Sequence, residues 1–318
     1  MGNRLKYILF IVGFLLLLSA FSYAVAPKHG EVYNITQVRM KMQALKAERP
    51  FSLDLLFSGD SESYRAFSPL QLWAEQGIPS YNLGASALRL CDCYEILCES
   101  GNSQSPKVVM LETDAIMAES GTHKDEEDIL TNCVEDLFPI FHYHIFYKSY
   151  LPEAIRKKDL YWKDAHILKG FLVEKMVRPY FGPDYMAEDK RLSPIPESSL
   201  FYLNGIKDYC AKKRISLILV SAPSAATWNE GKHEAVAAWA KENDIPYLDL
   251  NLLTEELDLD WNEDTMDEGN HVNFSGSEKV TKYIGEYLRN NYALEDHRGD
   301  EDYEDWEINR EKAGLYRI

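Results

Sequence analysis

Five short apolar runs, each closed by a turn residue or a polar stop, punctuate this chain. They are 52–58 (Ser-Leu-Asp-Leu-Leu-Phe-Ser), 78–83, 107–112, 215–221 and 245–250. Each is too short for a helix and rich in Leu, Val or Ile, so each predicts a buried strand. The stretches between them place apolar residues at helical spacing: 63–76, 87–100, 126–138, 199–213, 232–242 and 275–292. Pro69 is compatible with the first of these only near its start or at a break. Ser275 is the expected N-cap of the last. Strands alternating with helices predict an α/β fold: a three-layer α/β/α sandwich around a mostly parallel five-stranded sheet. The runs are nearly continuous in apolar character because a parallel sheet is covered on both faces. No repeat of 20–50 residues is visible.

The alternation fails in three places. Residues 139–197 are rich in Tyr, Phe, Lys and Pro and include Phe181-Gly182-Pro183, which predicts a helical and loop insertion forming a lid. Residues 294–318 are strongly acidic and are expected to be a loosely attached tail. Residues 27–50 read as a helical linker, so 51–293 is the folded domain.

Residues 1–26 are of another kind. Arg4 and Lys6 precede an apolar run over 7–26 that carries no charged side chain. Twenty residues of helix span roughly 30 Å, the thickness of a bilayer core. Ala24-Val25-Ala26 also has the form of a signal cleavage site. The length of the run and Pro27 just beyond favour an uncleaved anchor. Basic residues on the amino-terminal side place that end in the cytoplasm and the rest of the chain outside. The expected location is the cell membrane as a single-pass protein, with secretion the alternative.

Composition narrows the partners. With 46% hydrophobic and 12% aromatic residues among 318, the chain has ample material for a core. Its net charge of −17 argues against nucleic acid, because phosphate contacts need a basic surface. Five cysteines (91, 93, 98, 133 and 210) include no CxxC pair, and buried thiols are the plain reading. His142 and His144 invite a metal, but no Cys or nearby Asp completes a set, and aromatic lid packing accounts for them. No metal or organic cofactor is expected.

In an open parallel sheet, sites form at the carboxyl ends of the strands. Ser61 follows the first run, Gly84 the second and Asp114 the third. Ser221 and Ser224 flank the end of the fourth, and His271 follows the fifth. Trp228 and His233 lie close enough in sequence to the fourth to join a binding pocket. A serine hydroxyl needs a base to become a nucleophile near neutral pH, and the base needs an acid to orient it. Ser61, His271 and Asp267 supply those three roles.

The blocks that carry these residues resemble the SGNH (GDSL-type) hydrolase superfamily over about residues 50–292, which implies a flavodoxin-like sheet. Gly59-Asp60-Ser61 is similar to the first block, with Ser61 the nucleophile. Asn82-Leu83-Gly84-Ala85-Ser86 resembles the second, whose glycine N–H joins that of the serine at the oxyanion. Asp267 and His271, before Val272-Asn273-Phe274-Ser275-Gly276, resemble the last. The usual spacing there is Asp-x-x-His, which puts Glu268 in competition with Asp267, and Asp264 behind both. Asp114 stands where the third block has an asparagine, and an ionised carboxylate cannot donate to an oxyanion. Either Asp114 is protonated, or another donor such as Asn82 substitutes, or the chain is silent. The wording resembles membrane-anchored, DltD-like and alginate-acetylation-like bacterial proteins. The resemblance implies a serine-dependent esterase or O-acyltransferase acting on a cell-envelope glycan or other acyl ester through an acyl-serine. The alternative is a silent glycan-binding or assembly protein, and a lipase is the weaker third.

Overall fold

The structure, a computed structural model, describes residues 3–25, 38–118, 134, 137–138, 140–141, 167–188 and 193–316. The chain divides into two compact units: residues 1–28 with 121–161, and 29–120 with 162–318. In the first unit, α1 (Asn3–Val25) carries no charged side chain beyond Lys6, and by length and composition it is long enough to cross a membrane. Ser19 Oγ, on this helix, donates to the Leu137 carbonyl. His142, His144, Cys133, most of the expected 126–138 helix and residues 142–166 of the expected lid lie outside the described residues.

The second unit holds the sheet. Its strands are β1 (Leu55–Ser58), β2 (Ser80–Asn82), β3 (Val108–Glu112), β4 (Ser216–Ser221) and β5 (Tyr247–Asp249). They run in the order β2-β1-β3-β4-β5, and every pairing is parallel. The fold is the expected α/β one, five parallel strands flanked by helices. The order 2-1-3-4-5 is flavodoxin-like, with a switch point between β1 and β3 where the chain reverses its direction of winding. Leu55, Phe57, Val108, Met110, Ile218 and Val220 point to one face and join a buried cluster with Leu72, Val280, Ile284 and Leu288. Their alternates Leu56, Val109, Leu111, Leu217 and Leu219 are buried too, on the opposite side.

The helices of this unit are α2 (Val38–Ala47), α3 (Ser61–Ala66), α4 (Pro69–Gln76), α5 (Leu90–Ser100), α6 (Asp114–Met117), α7 (Tyr185–Glu188), α8 (Glu197–Lys213), α9 (Glu230–Glu242), α10 (Phe274–Asn291) and α11 (Glu304–Ala313). The expected helix over 63–76 is two helices. Ser68 caps the second and Pro69 opens it, where its missing N–H costs nothing. The last helix starts one residue before Ser275. Asn273, not Ser275, is its N-cap, and Asn273 Oδ1 accepts the Gly276 N–H at 3.1 Å.

Two segments differ from expectation more widely. Residues 38–47, read as part of a helical linker, do form a helix, α2, but it packs down, burying Met42, Ala44 and Leu45. Lys41 Nζ, also buried, donates to the Gly170 carbonyl at 2.8 Å. Residues 294–316, read as a loose tail, pack on the domain. Trp306 is 2% exposed and lies 5.3 Å from Trp73, centroid to centroid. Lys169 joins this contact, bonded to Glu48 at 2.7 Å and sitting over the Trp306 ring. Acidic composition marked the exposed face of α11 and hid the aromatic residues that anchor it.

Candidate active site

The site grows from the carboxyl end of β1. Gly59 leaves the strand with φ +141, and a Cβ there would sit 2.6 Å from the Glu112 Cβ, so only glycine fits the turn. Asp60 caps α3, its Oδ1 accepting the Glu62 N–H at 3.0 Å. Ser61 is therefore the first residue of α3, and its own N–H has no partner within the helix.

The loop from Asp264 to Asn273 brings in the partners. A bridge between Thr265 and Val272 closes it. Thr265 Oγ1 donates to the His271 carbonyl at 3.0 Å and accepts the Gly269 N–H at 2.9 Å. Glu268 and Gly269 both adopt positive φ, which accommodates one residue more than an Asp-x-x-His spacing. His271 Nε2 lies 2.8 Å from Ser61 Oγ. His271 Nδ1 lies 2.6 Å from Asp267 Oδ2, and Asp267 Oδ1 accepts the His271 backbone N–H at 2.7 Å. Glu268 is exposed, and its N–H donates to the Arg178 carbonyl. Asp264 is buried and paired with Lys279 at 2.7 Å. Of the three carboxylates weighed from the sequence, Asp267 is the one that meets the imidazole. Burial raises the Asp267 pKa, but the bonds from His271 and the charge of Arg65 outweigh it and hold it below the ordinary carboxylate value.

Gly84 and Asn82 meet beside the same helix. The Asn82 amide donates to the carbonyls of Ser63 at 2.8 Å and Phe67 at 3.0 Å. Its Oδ1 accepts from Ser63 Oγ at 3.2 Å and from the Gly84 N–H at 3.0 Å. Asn82 thus ties β2 to α3, and its amide is not directed at the serine. A Cβ on Gly84 would come within 2.8 Å of the Asp60 carbonyl, so the close approach of the two loops requires glycine.

Asp114 opens α6 after β3. Its N–H donates to Glu112 Oε2 at 3.0 Å, and its Oδ1 accepts from Lys232 Nζ at 3.2 Å. Lys232, on α9, also donates to the Thr227 carbonyl. Spacing in the sequence carried no sign of this pairing. The carboxyl groups beneath the serine were missed as well. Asp60 is pushed up to about 7 by burial and by the charge of Asp114. Glu62 and Glu112 are pushed well above the usual range by burial and by one another's neighbours. Asp60 and Glu62 flank Ser61 in the sequence, but nothing there signals that they are buried together with Glu112.

The remaining candidates have structural partners. Ser221 Oγ lies 2.5 Å from Thr113 Oγ1, and Ser224 Oγ donates to the Asn270 carbonyl at 2.6 Å, clamping the end of β4 to the histidine loop. Trp228 Nε1 and His233 Nδ1 both meet Asp249 Oδ2, at 2.9 and 2.7 Å. An open cavity of about 570 Å³ adjoins the loop, lined among others by Tyr180, Tyr185, Trp261, Asp184 and Glu255. Tyr180 packs directly on Gly269 of that loop. Among the described residues no cluster of three or more His, Cys, Asp or Glu side chains is arranged to hold a metal.

No protein-family model and no curated protein matches the chain. Among solved structures it is similar to a GDSL-like lipase from Bacteroides thetaiotaomicron, with 11% identity, a TM-score of 0.40, and 81% of this chain and 99% of that one covered. It is similar to an acetyl xylan esterase, with 12% identity, a TM-score of 0.39, and coverage of 74% and 98%. A third, assigned as an acylhydrolase, from Bacteroides fragilis, gives 12% identity, a TM-score of 0.42, and coverage of 80% and 97%. These are likenesses of chain course, and the roles of individual residues rest on the geometry above.

Proposed function

We propose that the protein is a serine-dependent acyl-ester enzyme of the SGNH/GDSL type. More particularly, we read it as a membrane-anchored enzyme of the cell envelope, an esterase or O-acyltransferase whose substrate is an acylated glycan or a related ester. The observation that carries the reading is the hydrogen-bonded chain Ser61 Oγ–His271 Nε2 at 2.8 Å and His271 Nδ1–Asp267 Oδ2 at 2.6 Å.

Ser61 Oγ attacks the acyl carbon while His271 Nε2 takes its proton. Asp267 holds the Nδ1–H tautomer and stabilises the imidazolium. The tetrahedral oxyanion is met by the Ser61 N–H, and by the Gly84 N–H once it is released from Asn82. One such donor is worth roughly 3 kcal/mol. Collapse expels the alcohol, which receives its proton from His271 and leaves acyl-Ser61. Water or a sugar hydroxyl then attacks the acyl carbon, with His271 again the base, and Ser61 is released. The aromatic cavity beside the histidine loop suits a sugar-bearing alcohol, since rings stack on Trp and Tyr while carboxylates accept from hydroxyls. The apolar α1 supports the anchor, and Arg4 and Lys6 ahead of its apolar run support an extracellular site.

A carboxylate at position 114 favours a second reading, a silent envelope protein that binds glycan without acyl transfer. A fluorophosphonate separates the two. The enzyme reading expects stoichiometric labelling that is abolished in Ser61→Ala, together with hydrolysis of p-nitrophenyl acetate that falls about 10⁴- to 10⁶-fold in the same variant. Labelling absent from the wild type supports the silent reading.

A further inference from the structure

The reaction written above leaves one buried group beside the nucleophile without a task. Glu62 follows Ser61 on α3 and is 2% exposed. Its Oε1 lies 3.8 Å from His271 Nε2, the same nitrogen that faces Ser61 Oγ. Its Oε2 is closed off from solvent and has no hydrogen-bond partner. A buried polar atom left unsatisfied costs stability, and one at a reacting centre calls for a partner that arrives with the substrate.

The surroundings decide its charge. Carboxyl groups face it from every side: Asp60 before α3, Glu112 at the end of β3, Asp114 at the start of α6 and Asp267 in the histidine loop. Neither cation of the site pairs with it: Lys232 bonds Asp114, and Arg65 lies over the Tyr64 ring and donates from Nη1 to Met266 Sδ, its buried Nε without a partner. Burial in that company disfavours the charged form of Glu62, and a carboxyl that holds its proton is a hydrogen-bond donor. Two other side chains weighed for the oxyanion role are already engaged. The Asn82 amide serves two backbone carbonyls, and Asp114 accepts from a lysine.

We infer that the Glu62 carboxyl group is the side-chain donor to the substrate's carbonyl oxygen, completing the oxyanion site that Asp114 cannot serve. This rests on the acyl-serine reading. As Ser61 Oγ bonds to the acyl carbon, its proton passes to His271 Nε2 and the carbonyl π electrons move to oxygen. The Glu62 O–H donates to that oxygen and keeps its proton, so charge and protons balance without a further reactant. Ionised Glu62 would repel the oxyanion and hold the imidazolium beside it. Activity therefore falls on the alkaline side as Glu62 loses its proton.

The test uses the full chain in detergent, with wild type, Glu62→Gln, Glu62→Leu and Ser61→Ala. The readouts are the rate of Ser61 labelling by a fluorophosphonate and the kcat and KM for p-nitrophenyl acetate from roughly pH 5 to 10. Gln retains a donor and should lose less than about tenfold in kcat while its alkaline limb disappears. Leu has no donor and should lose about 10²–10³-fold in kcat with KM little changed. Full activity in Glu62→Leu overturns the inference, and so does a Gln variant as impaired as Leu. Should Leu fail to give a cooperative melt, the Gln profile decides alone, and a persisting alkaline limb overturns the proposal. A wild type that is not labelled, or a Ser61→Ala variant that is, defeats the acyl-serine reading itself and this inference with it.

Discussion

Replacing Asp267 by asparagine preserves shape and removes two properties, the negative charge and the ability to accept on both oxygens. Asp267 Oδ1 accepts the His271 backbone N–H at 2.7 Å, and Oδ2 faces His271 Nδ1 at 2.6 Å. An asparagine has one oxygen and one NH₂ for these two positions. If its oxygen serves the backbone N–H, its NH₂ points at Nδ1. That nitrogen must then be the acceptor, and the ring proton moves to Nε2. A protonated Nε2 cannot take the Ser61 proton across their 2.8 Å contact. The wrong tautomer, together with loss of the charge that stabilises the imidazolium, costs about 10³–10⁴-fold in kcat, or about 4–5.5 kcal/mol of transition-state stabilisation. The assay is the kcat and KM of p-nitrophenyl acetate hydrolysis for Asp267→Asn, with Glu268→Gln as the exposed neighbour. Glu268→Gln should stay within about twofold of wild type, as expected of a change to an exposed side chain. Asp267→Asn within tenfold of wild type, or Glu268→Gln as damaging as Asp267→Asn, would refute the reasoning.

Three further outcomes follow from the same geometry. Lys232→Met leaves the Asp114 carboxylate without its cation near the serine and should cost at least about tenfold in kcat. Adding Asp114→Asn to it should restore most of that loss, and no recovery in the double variant would argue against the pairing as the reason. The buried carboxyls make stability depend on pH with a definite sign. Asp60, Glu62 and Glu112 have folded pKa values raised above their unfolded ones, so the folded state binds more protons and stability falls as pH rises through the unfolded carboxyl values toward the raised folded ones, which for Asp60 is about 7. Asp267 has the opposite sign, its contribution being present above the unfolded pKa and lost as pH falls through the lowered folded value. Glu112→Gln should therefore raise the melting temperature more at about pH 8 than at about pH 5, and an equal shift at both would contradict the burial argument. Trp306→Ala removes a ring that is 2% exposed and packed on Trp73 and Lys169. It should cost about 3–5 kcal/mol and lower the melting temperature by on the order of 10 °C for a domain of this size. A shift of under about two degrees would mean that the acidic segment is as loosely held as its composition suggests.

The strands were legible because burial on both faces writes itself into composition. Residues 55–58, 108–112 and 217–220 contain scarcely a polar side chain before their ends, and nothing but a central parallel strand needs that. Ser61 and His271 could be paired on paper because Ser61 follows the first strand and His271 lies in the loop between the fifth strand and the closing helix, both on the carboxyl edge of the sheet. The acid was harder. Asp267 and Glu268 differ by one position in a loop, and only the positive φ at Glu268 and Gly269 turns the first toward the ring and the second toward solvent.

From the amino-acid order alone came the class of fold, the apolar amino-terminal helix and the set of residue types able to carry acyl-serine chemistry. These are local or additive properties: periodicity, run length, and the polar residue at the end of each strand. Tertiary structure decided the rest, because it turns on pairs far apart in the chain. Asp114 meets Lys232 because β3 and β4 lie side by side, and Lys169 meets Glu48 because the turn carrying Lys169 sits against β2, where the Asn82 N–H donates to the Lys169 carbonyl; no short window of sequence contains either pair. The same holds for Asn82, whose amide reads as a free donor until α3 presents the carbonyls of Ser63 and Phe67 to it. It holds most for Glu62, an ordinary charged residue in the sequence. Packing encloses it with four other carboxyl groups, and burial rather than its identity determines whether it carries a charge.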